Sequence, residues 1–109
     1  MTVLELEHTL DDLTRRIVRE FHPDRIVLFG SRARGTATAE SDLDILVIMP
    51  VEGSVRDTAC AIGAALSDRM FSLDLIVMTP EQYSRQKELQ GTIANEAAHD
   101  GRILYERIA

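Results

Sequence analysis

The sequence predicts an α/β fold of packed layers. Amphipathic helical patterns alternate with short apolar segments rich in strand-forming residues along the 109 residues, and such alternation is typical of layered α/β structures. Hydrophobic residues make up 45% of the chain and charged residues 28%, which is ordinary for a folded domain. The length predicts one domain over residues 1–109, since domains usually run to about 100–200 residues. The strand order cannot be read from these patterns.

The first helix is predicted over residues 2–21. Its apolar residues recur at three- and four-residue spacing, namely Leu6, Leu10, Leu13 and Ile17. Thr2 and Glu5 fit a capping box at its start, and Pro23 disfavours helix just before it. Residues 25–29 form an apolar run predicted as the first strand, which ends at Gly30.

The remaining elements follow from the same signals. A short helical turn and a loop are predicted over residues 31–39, strands over 43–49, 72–78 and 102–105, and helices over 54–70 and 79–99. The last helix starts at Thr79 with Pro80 in its first position, and a break is expected near Gly91. The continuous apolar half of strand 43–49 indicates burial on both faces.

The charge balance excludes several classes of partner. Acidic residues number 18 against 12 basic residues, a formal charge of −6. Domains that hold nucleic acid or anionic membranes through general electrostatics are usually basic, so direct binding to either is not expected. The sequence contains no signal segment and no apolar run of about 18 residues. Cys60 is the single cysteine, predicted as a small core residue. These features predict a cytoplasmic protein.

Three aspartates stand where carboxylates are unusual. Asp42 and Asp44 lie at the start of the second strand and are separated by one residue. Asp74 lies inside the third strand between leucines. Side chains alternate across a strand, so Asp42 and Asp44 point to the same face. If the second and third strands are neighbours, all three carboxylates can converge, and such hard oxygen ligands suit Mg²⁺. A two-metal site would clamp the attacking and leaving oxygens of a nucleotidyl transfer.

A basic loop precedes these aspartates. Gly30 and Ser31 directly follow a strand and open a helical turn, so backbone N–H groups are available to a phosphate. Ser31 can add its hydroxyl, and Arg32 and Arg34 add positive charge. Each piece has a plainer interpretation: Ser31 as a helix cap, the Asp42–Asp44 pair as turn and surface residues, and the arginines as ordinary composition. The combination in fixed order favours a nucleotidyltransferase site.

The combined pattern resembles a known family. Gly30-Ser31, ten intervening residues and then Asp42-Leu43-Asp44 match the signature of the DNA polymerase β-like nucleotidyltransferases, in their minimal (MNT) branch. The resemblance implies a small mixed β-sheet flanked by helices. It places the third family carboxylate at Asp74.

Among short bacterial proteins, the chain resembles MNT antitoxins, which are encoded beside HEPN ribonuclease toxins. The resemblance implies AMP transfer from ATP to a toxin tyrosine, with two Mg²⁺ ions, and a hetero-oligomer with the toxin. Asp42 and Asp44 would hold both metal ions, Asp74 would complete the ion that activates the acceptor, and Gly30 and Ser31 would hold the β- and γ-phosphates.

Two other functions stay open at this stage. The protein could neutralise its toxin by binding alone, or it could modify a small molecule such as an aminoglycoside. The short chain favours a protein acceptor, because relatives that modify small molecules resemble this domain plus a further helical domain.

Overall fold

The computed structural model describes residues 1–38 and 40–108; Ala39, in the predicted loop over residues 31–39, lies outside them. The described part contains nine elements in the order α1 (Val3–Phe21), β1 (Arg25–Phe29), α2 (Ser31–Arg34), β2 (Leu43–Ile48), α3 (Val55–Ala65), β3 (Leu73–Met78), α4 (Pro80–Gln86), α5 (Ile93–Asp100) and β4 (Arg102–Glu106).

The four strands form one mixed sheet in the order β3-β2-β1-β4. β1 pairs antiparallel with both β2 and β4, whereas β2 and β3 run parallel. The predicted α/β fold with a small mixed sheet flanked by helices is confirmed. β1 and β2 occupy the centre, which explains why their apolar runs are almost continuous and buried.

Helices cover both faces of this sheet. On the face that we call the α1 face, buried residues of α1, α3 and the strands form one apolar cluster: Leu10, Leu13, Ile17, Ile26, Leu28, Leu43, Ile45, Val47, Ile62, Leu66 and Val77. On the opposite face, the α5 face, a smaller cluster joins the strands to α5: Val27, Phe29, Leu46, Ile48, Met78, Ala94 and Ala97. Because side chains alternate along a strand, β1, β2 and β3 each contribute to both clusters.

The helix starts agree with the sequence prediction. Thr2 and Glu5 form a reciprocal capping box at α1, and Thr79 and Gln82 form a second one at α4. The predicted break at Gly91 is confirmed, since this residue has a positive φ of 87° between α4 and α5.

Two local predictions are wrong. The helix expected over residues 54–70 ends at Ala65, because Arg69 folds back and its guanidinium donates to the carbonyls of Gly63 and Leu66. Such bonds satisfy carbonyl groups at a helix end. Cys60 is exposed, because it lies beside the buried stripe of α3.

Over residues 1–38 and 40–108, no helix is both long enough and apolar enough to cross a bilayer.

Candidate active site

The first residues of β2 lie at one end of the sheet, where three strands meet. Asp44 pairs in register with Asp74 on the parallel neighbour β3 and with Phe29, the last residue of β1, on the other side. Strand pairing therefore brings two of the predicted carboxylates side by side, next to the point where the chain leaves β1 for Gly30. Asp44 projects from the α5 face, since it alternates with Leu43 and Ile45 of the α1 face.

Gly30 lies directly under the Asp44 carboxylate. A Cβ atom placed on Gly30 would come within 2.1 Å of Asp44 Oδ2 and 2.9 Å of its Cγ. Gly30 also has φ of 75° and ψ of −160°, a conformation that other residues rarely adopt. Only glycine allows the backbone and this carboxylate to approach so closely, so the glycine is required by the geometry of the site.

The Asp44 carboxylate has an unfavourable environment for its charge. Burial raises the pKa of Asp44 above its ordinary value, and the negative charges of Asp74, Asp42 and Glu96 raise it further. Three neighbouring carboxylates thus act on Asp44 at this end of the sheet. Such an arrangement is stabilised when a cation or a bound proton offsets the repulsion.

The outer two aspartates are more accessible than Asp44. Asp42 is exposed just before β2, and Asp74 is exposed on β3, an edge strand. Although Asp74 lies between leucines in its strand, the edge position lets its carboxylate reach solvent. Among the residues that the structure describes, no group of three or more His, Cys, Asp or Glu side chains is arranged to hold a metal ion. The donors nevertheless suit a hard divalent cation, because they are carboxylate oxygens with excess negative charge.

Ser31 begins the single helical turn α2. The backbone N–H groups of Ala33 and Arg34 both donate to the Gly30 carbonyl, at 3.1 Å each. The Ser31 carbonyl accepts from Thr36 at 3.0 Å, and Ser31 itself is half-buried. The loop after β1 is therefore held in a compact turn whose first residues lie beside Asp44.

Arg32 and Arg34 make different contacts. Arg32 donates to the carbonyl of Ser41 at 3.1 Å, which ties α2 to the residue before Asp42. Its Nε atom is buried and, within the part of the chain that the structure describes, makes no hydrogen bond. Arg34 instead forms an ion pair with Glu96 of α5 at 2.8 Å, with both side chains partly exposed. The sequence predicts that both arginines add positive charge beside a phosphate, and in the structure they contact different partners, Ser41 for Arg32 and Glu96 for Arg34.

Glu96 is the site residue that sequence reasoning missed. Its Oε2 accepts from the Gly30 N–H at 3.0 Å and from Arg34 at 2.8 Å. In the sequence it looks like an ordinary acid in the first turn of a helix, where negative charge is favourable. Only its position in α5 connects it to the site, because that helix packs over this end of the sheet.

The match to known proteins identifies the family. A family model described as the nucleotidyltransferase domain matches residues 11–102, which include every residue of this site. The chain belongs to the nucleotidyltransferase domain family. The predicted family resemblance and the predicted enzyme class, a nucleotidyltransferase, are both confirmed.

Similar proteins extend this picture. The chain is 32% identical over 81 residues to "Putative protein adenylyltransferase MJ0604" of Methanocaldococcus jannaschii, covering 74% of this chain and 77% of that protein. A crystal structure described as a "putative nucleotidyltransferase" from Sulfolobus solfataricus matches 91% of this chain and 79% of its own, with a TM-score of 0.64 and 23% identity.

The fold is also found in a toxin–antitoxin complex. A chain in the structure of the tri-AMPylated Shewanella oneidensis HEPN toxin in complex with MNT antitoxin matches 92% of this chain and 72% of its own, with a TM-score of 0.51 and 17% identity. At that identity the match establishes a common fold.

Proposed function

We propose that this nucleotidyltransferase transfers AMP from ATP to a tyrosine hydroxyl of a cognate HEPN-type toxin, releasing pyrophosphate and silencing the toxin. The observation that carries the proposal is the contact of Asp44 with the Gly30 backbone, because it joins the carboxylate cluster to the loop after β1. A triphosphate bound with divalent cations would interact favourably with both parts.

The aspartates form the proposed metal site. Asp42 and Asp44 would hold two Mg²⁺ ions, and Asp74 would complete the ligand set of the ion near the acceptor. When bound, these ions would offset charge on the phosphates and lower the pKa of the acceptor hydroxyl. Burial raises the pKa of the Asp44 carboxyl and the surrounding negative charge raises it further, and that excess of negative charge supports this assignment.

The chain's own groups would orient the nucleotide and accept the proton. Gly30 and Ser31 would hold the β- and γ-phosphates, with Arg34 nearby. The phenolic oxygen of the acceptor attacks the α-phosphorus while the bond from that phosphorus to the bridging oxygen breaks. Its proton passes to the carboxylate of Asp74, which is exposed on an edge strand and open to an incoming side chain. Pyrophosphate leaves with the electron pair.

The nature of the acceptor is inferred from two similarities. The relative from Methanocaldococcus jannaschii carries a protein adenylyltransferase name, and the fold matches a chain from a complex that contains an AMPylated HEPN toxin. The net charge of −6 also suits docking to a basic ribonuclease. We therefore place the protein in the cytoplasm, in a hetero-oligomer with its toxin.

The position of the label in ATP tests the reaction. The protein is incubated with Mg²⁺, the purified toxin and ATP labelled at either the α- or the γ-phosphate. We expect the α-label on the toxin and the γ-label in pyrophosphate. Transfer of the γ-label would show a kinase reaction instead, and no transfer of either label would contradict the proposal.

The same experiment separates catalysis from inhibition by binding. The double variant Asp42→Asn/Asp44→Asn should transfer no label and should fail to protect cells from the toxin. A matched control is Asp57→Asn, which removes an exposed charge in the first turn of α3. If the double variant still protects cells fully, binding alone suffices and AMP transfer is not the protective activity.

A further inference from the structure

The carboxylate of Glu96 occupies the hydrogen-bond donors of the loop after β1. Its Oε2 atom accepts from the Gly30 N–H at 3.0 Å and from Arg34 Nη1 at 2.8 Å. A carboxylate held by a backbone N–H and a guanidinium has the contacts of a phosphate oxygen in such a loop. Glu96 therefore stands where an anionic ligand of this loop would find its partners.

Competition for these donors follows from their number. A backbone amide has a single N–H, so Gly30 cannot donate fully to Glu96 and to a phosphate at once. Arg34 has further N–H groups, but its charge is partly offset by the Glu96 carboxylate at 2.8 Å. If Gly30 and Arg34 bind phosphate, the carboxylate must first give up the Gly30 N–H.

The negative charge of Glu96 also opposes phosphate binding at the loop. Glu96 adds a negative charge to a cluster that already contains three aspartates, and its charge contributes to the raised pKa of Asp44. A triphosphate approaching the loop would be repelled by the Glu96 carboxylate. The Glu96 side chain is 36% exposed and the Arg34 side chain 43%, so the glutamate can swing into solvent without opening the core.

From these contacts we infer that Glu96 competes with the nucleotide: its carboxylate binds the Gly30 N–H and Arg34, and the ATP phosphates displace it from both. The inference rests on the proposed function and adds a residue that sets the affinity for ATP. Glu96 acts here as a positioning residue, since it touches the loop and the arginine. ATP binding should accordingly be weaker than the loop alone would allow.

The test compares ATP binding by the full chain and by Glu96→Gln. Calorimetry with ATP and Mg²⁺ should give a Kd about fivefold lower for Glu96→Gln, because the neutral amide keeps the shape but loses the competing charge. In the transfer assay, KM for ATP should fall by a similar factor while kcat stays within about twofold. A simple loss of structure would instead raise KM and lower kcat.

Glu52→Gln is the matched control. Glu52 is exposed beyond the end of β2, at the opposite end of the sheet from Asp44. Glu52→Gln removes the same charge from the chain as Glu96→Gln, so any change in ATP affinity that reflects net charge alone would appear in both variants. We expect no change in Kd for this control.

A second measurement follows the Gly30 amide and Arg34 directly. In NMR spectra, ATP should shift the Gly30 amide in the wild-type chain, and Glu96→Gln alone should already shift it. Replacing Arg34 by Gln should weaken ATP binding more in the Glu96→Gln background than in the wild type, because Glu96 no longer offsets the arginine.

The results separate this inference from the proposed function. If the wild type transfers AMP but Glu96→Gln weakens ATP binding, or leaves it unchanged, the competition is refuted while the proposed function stands. If the wild type binds no ATP, both fail together.

Discussion

The two faces of the sheet are built from the same strands but differ in composition. On the α1 face, β2 contributes Leu43, Ile45 and Val47, all buried in the larger apolar cluster. On the α5 face, the same strand contributes Leu46 and Ile48 to a smaller cluster, and its remaining position on that face is Asp44. One strand therefore supplies core on one side and both core and candidate site on the other.

The difference shows how a small chain accommodates repelling charges. The cluster on the α1 face contains more buried apolar residues than the cluster on the α5 face, and this burial stabilises the fold against the cost of the carboxylates. On the α5 face, the apolar cover stops where the strands end, and there Asp44 meets Asp74 and Gly30. Stability and function should therefore respond to substitutions on opposite faces.

The largest expected effect is the loss of activity when a residue of the α5 face is replaced. Asp44→Asn keeps the size of the side chain but removes the charge that we assign to cation binding. AMP transfer should fall by about 1,000-fold or more, equal to about 4 kcal/mol of transition-state stabilisation. Steady-state rates with the toxin as acceptor measure it. Activity within tenfold of wild type would remove Asp44 from the proposed chemistry.

The next largest effect is the loss of stability when a buried residue of the α1 face is replaced. Leu13 of α1 is 2% exposed in the larger cluster, and Leu13→Ala leaves a cavity. The free energy of unfolding should fall by about 2–5 kcal/mol, as measured by urea denaturation. The rate per folded molecule should stay near wild type, and a large loss of rate at full folding would break the separation of the two faces.

A smaller effect on both activity and stability is expected at Gly30. Gly30→Ala introduces a methyl group against Asp44 Oδ2 and forces alanine into a positive φ. We expect a loss of about 1–3 kcal/mol in unfolding free energy and a clear drop in AMP transfer. Gly53→Ala is the control, since Gly53 has φ of 100° with nothing within 4 Å of its Cβ position. Equal rates for the two variants would show that the clash is unimportant.

The smallest effect concerns stability on the α5 face. The pKa of Asp44 is raised in the folded protein, chiefly by burial. The folded state therefore binds this proton more tightly, and its stability falls as pH rises from the unfolded value of about 3.9 through the raised folded value. In EDTA, Asp44→Asn should melt at a higher temperature than wild type at about pH 7, and the gap should close near pH 4.

Thermal melts across this pH range measure the difference. If Asp44→Asn instead lowers the melting temperature at neutral pH without metal, the carboxylate is stabilising and the repulsion account fails. Asp57→Asn serves as the control, because Asp57 is exposed on α3.

Local signals made most of the fold predictable. The capping boxes at Thr2 and Thr79 and the positive φ of Gly91 act within a few residues, so the sequence shows them directly. The strand order depends on pairing between distant segments, which periodicity does not encode. The exposure of Asp74 follows from that order, because only the edge position of β3 opens it to solvent.

The candidate site was predictable to a similar extent. Gly30 and Asp44 lie in a recognisable order along the chain, and the structure packs them so closely that a Cβ atom on Gly30 would lie 2.1 Å from Asp44 Oδ2. Glu96 comes 52 positions after Asp44 and has no motif of its own. It enters the site only because α5 folds over the α5 face, and tertiary placement of that kind cannot be read from local pattern.

Mass spectrometry of the toxin tests the central claim most directly. After incubation with this protein, ATP and Mg²⁺, the toxin should gain the mass of one or more AMP groups, localised by fragmentation to a tyrosine-containing peptide. The gain should be absent with Asp42→Asn/Asp44→Asn. An unmodified toxin, or the same modification with the double variant, would contradict the account.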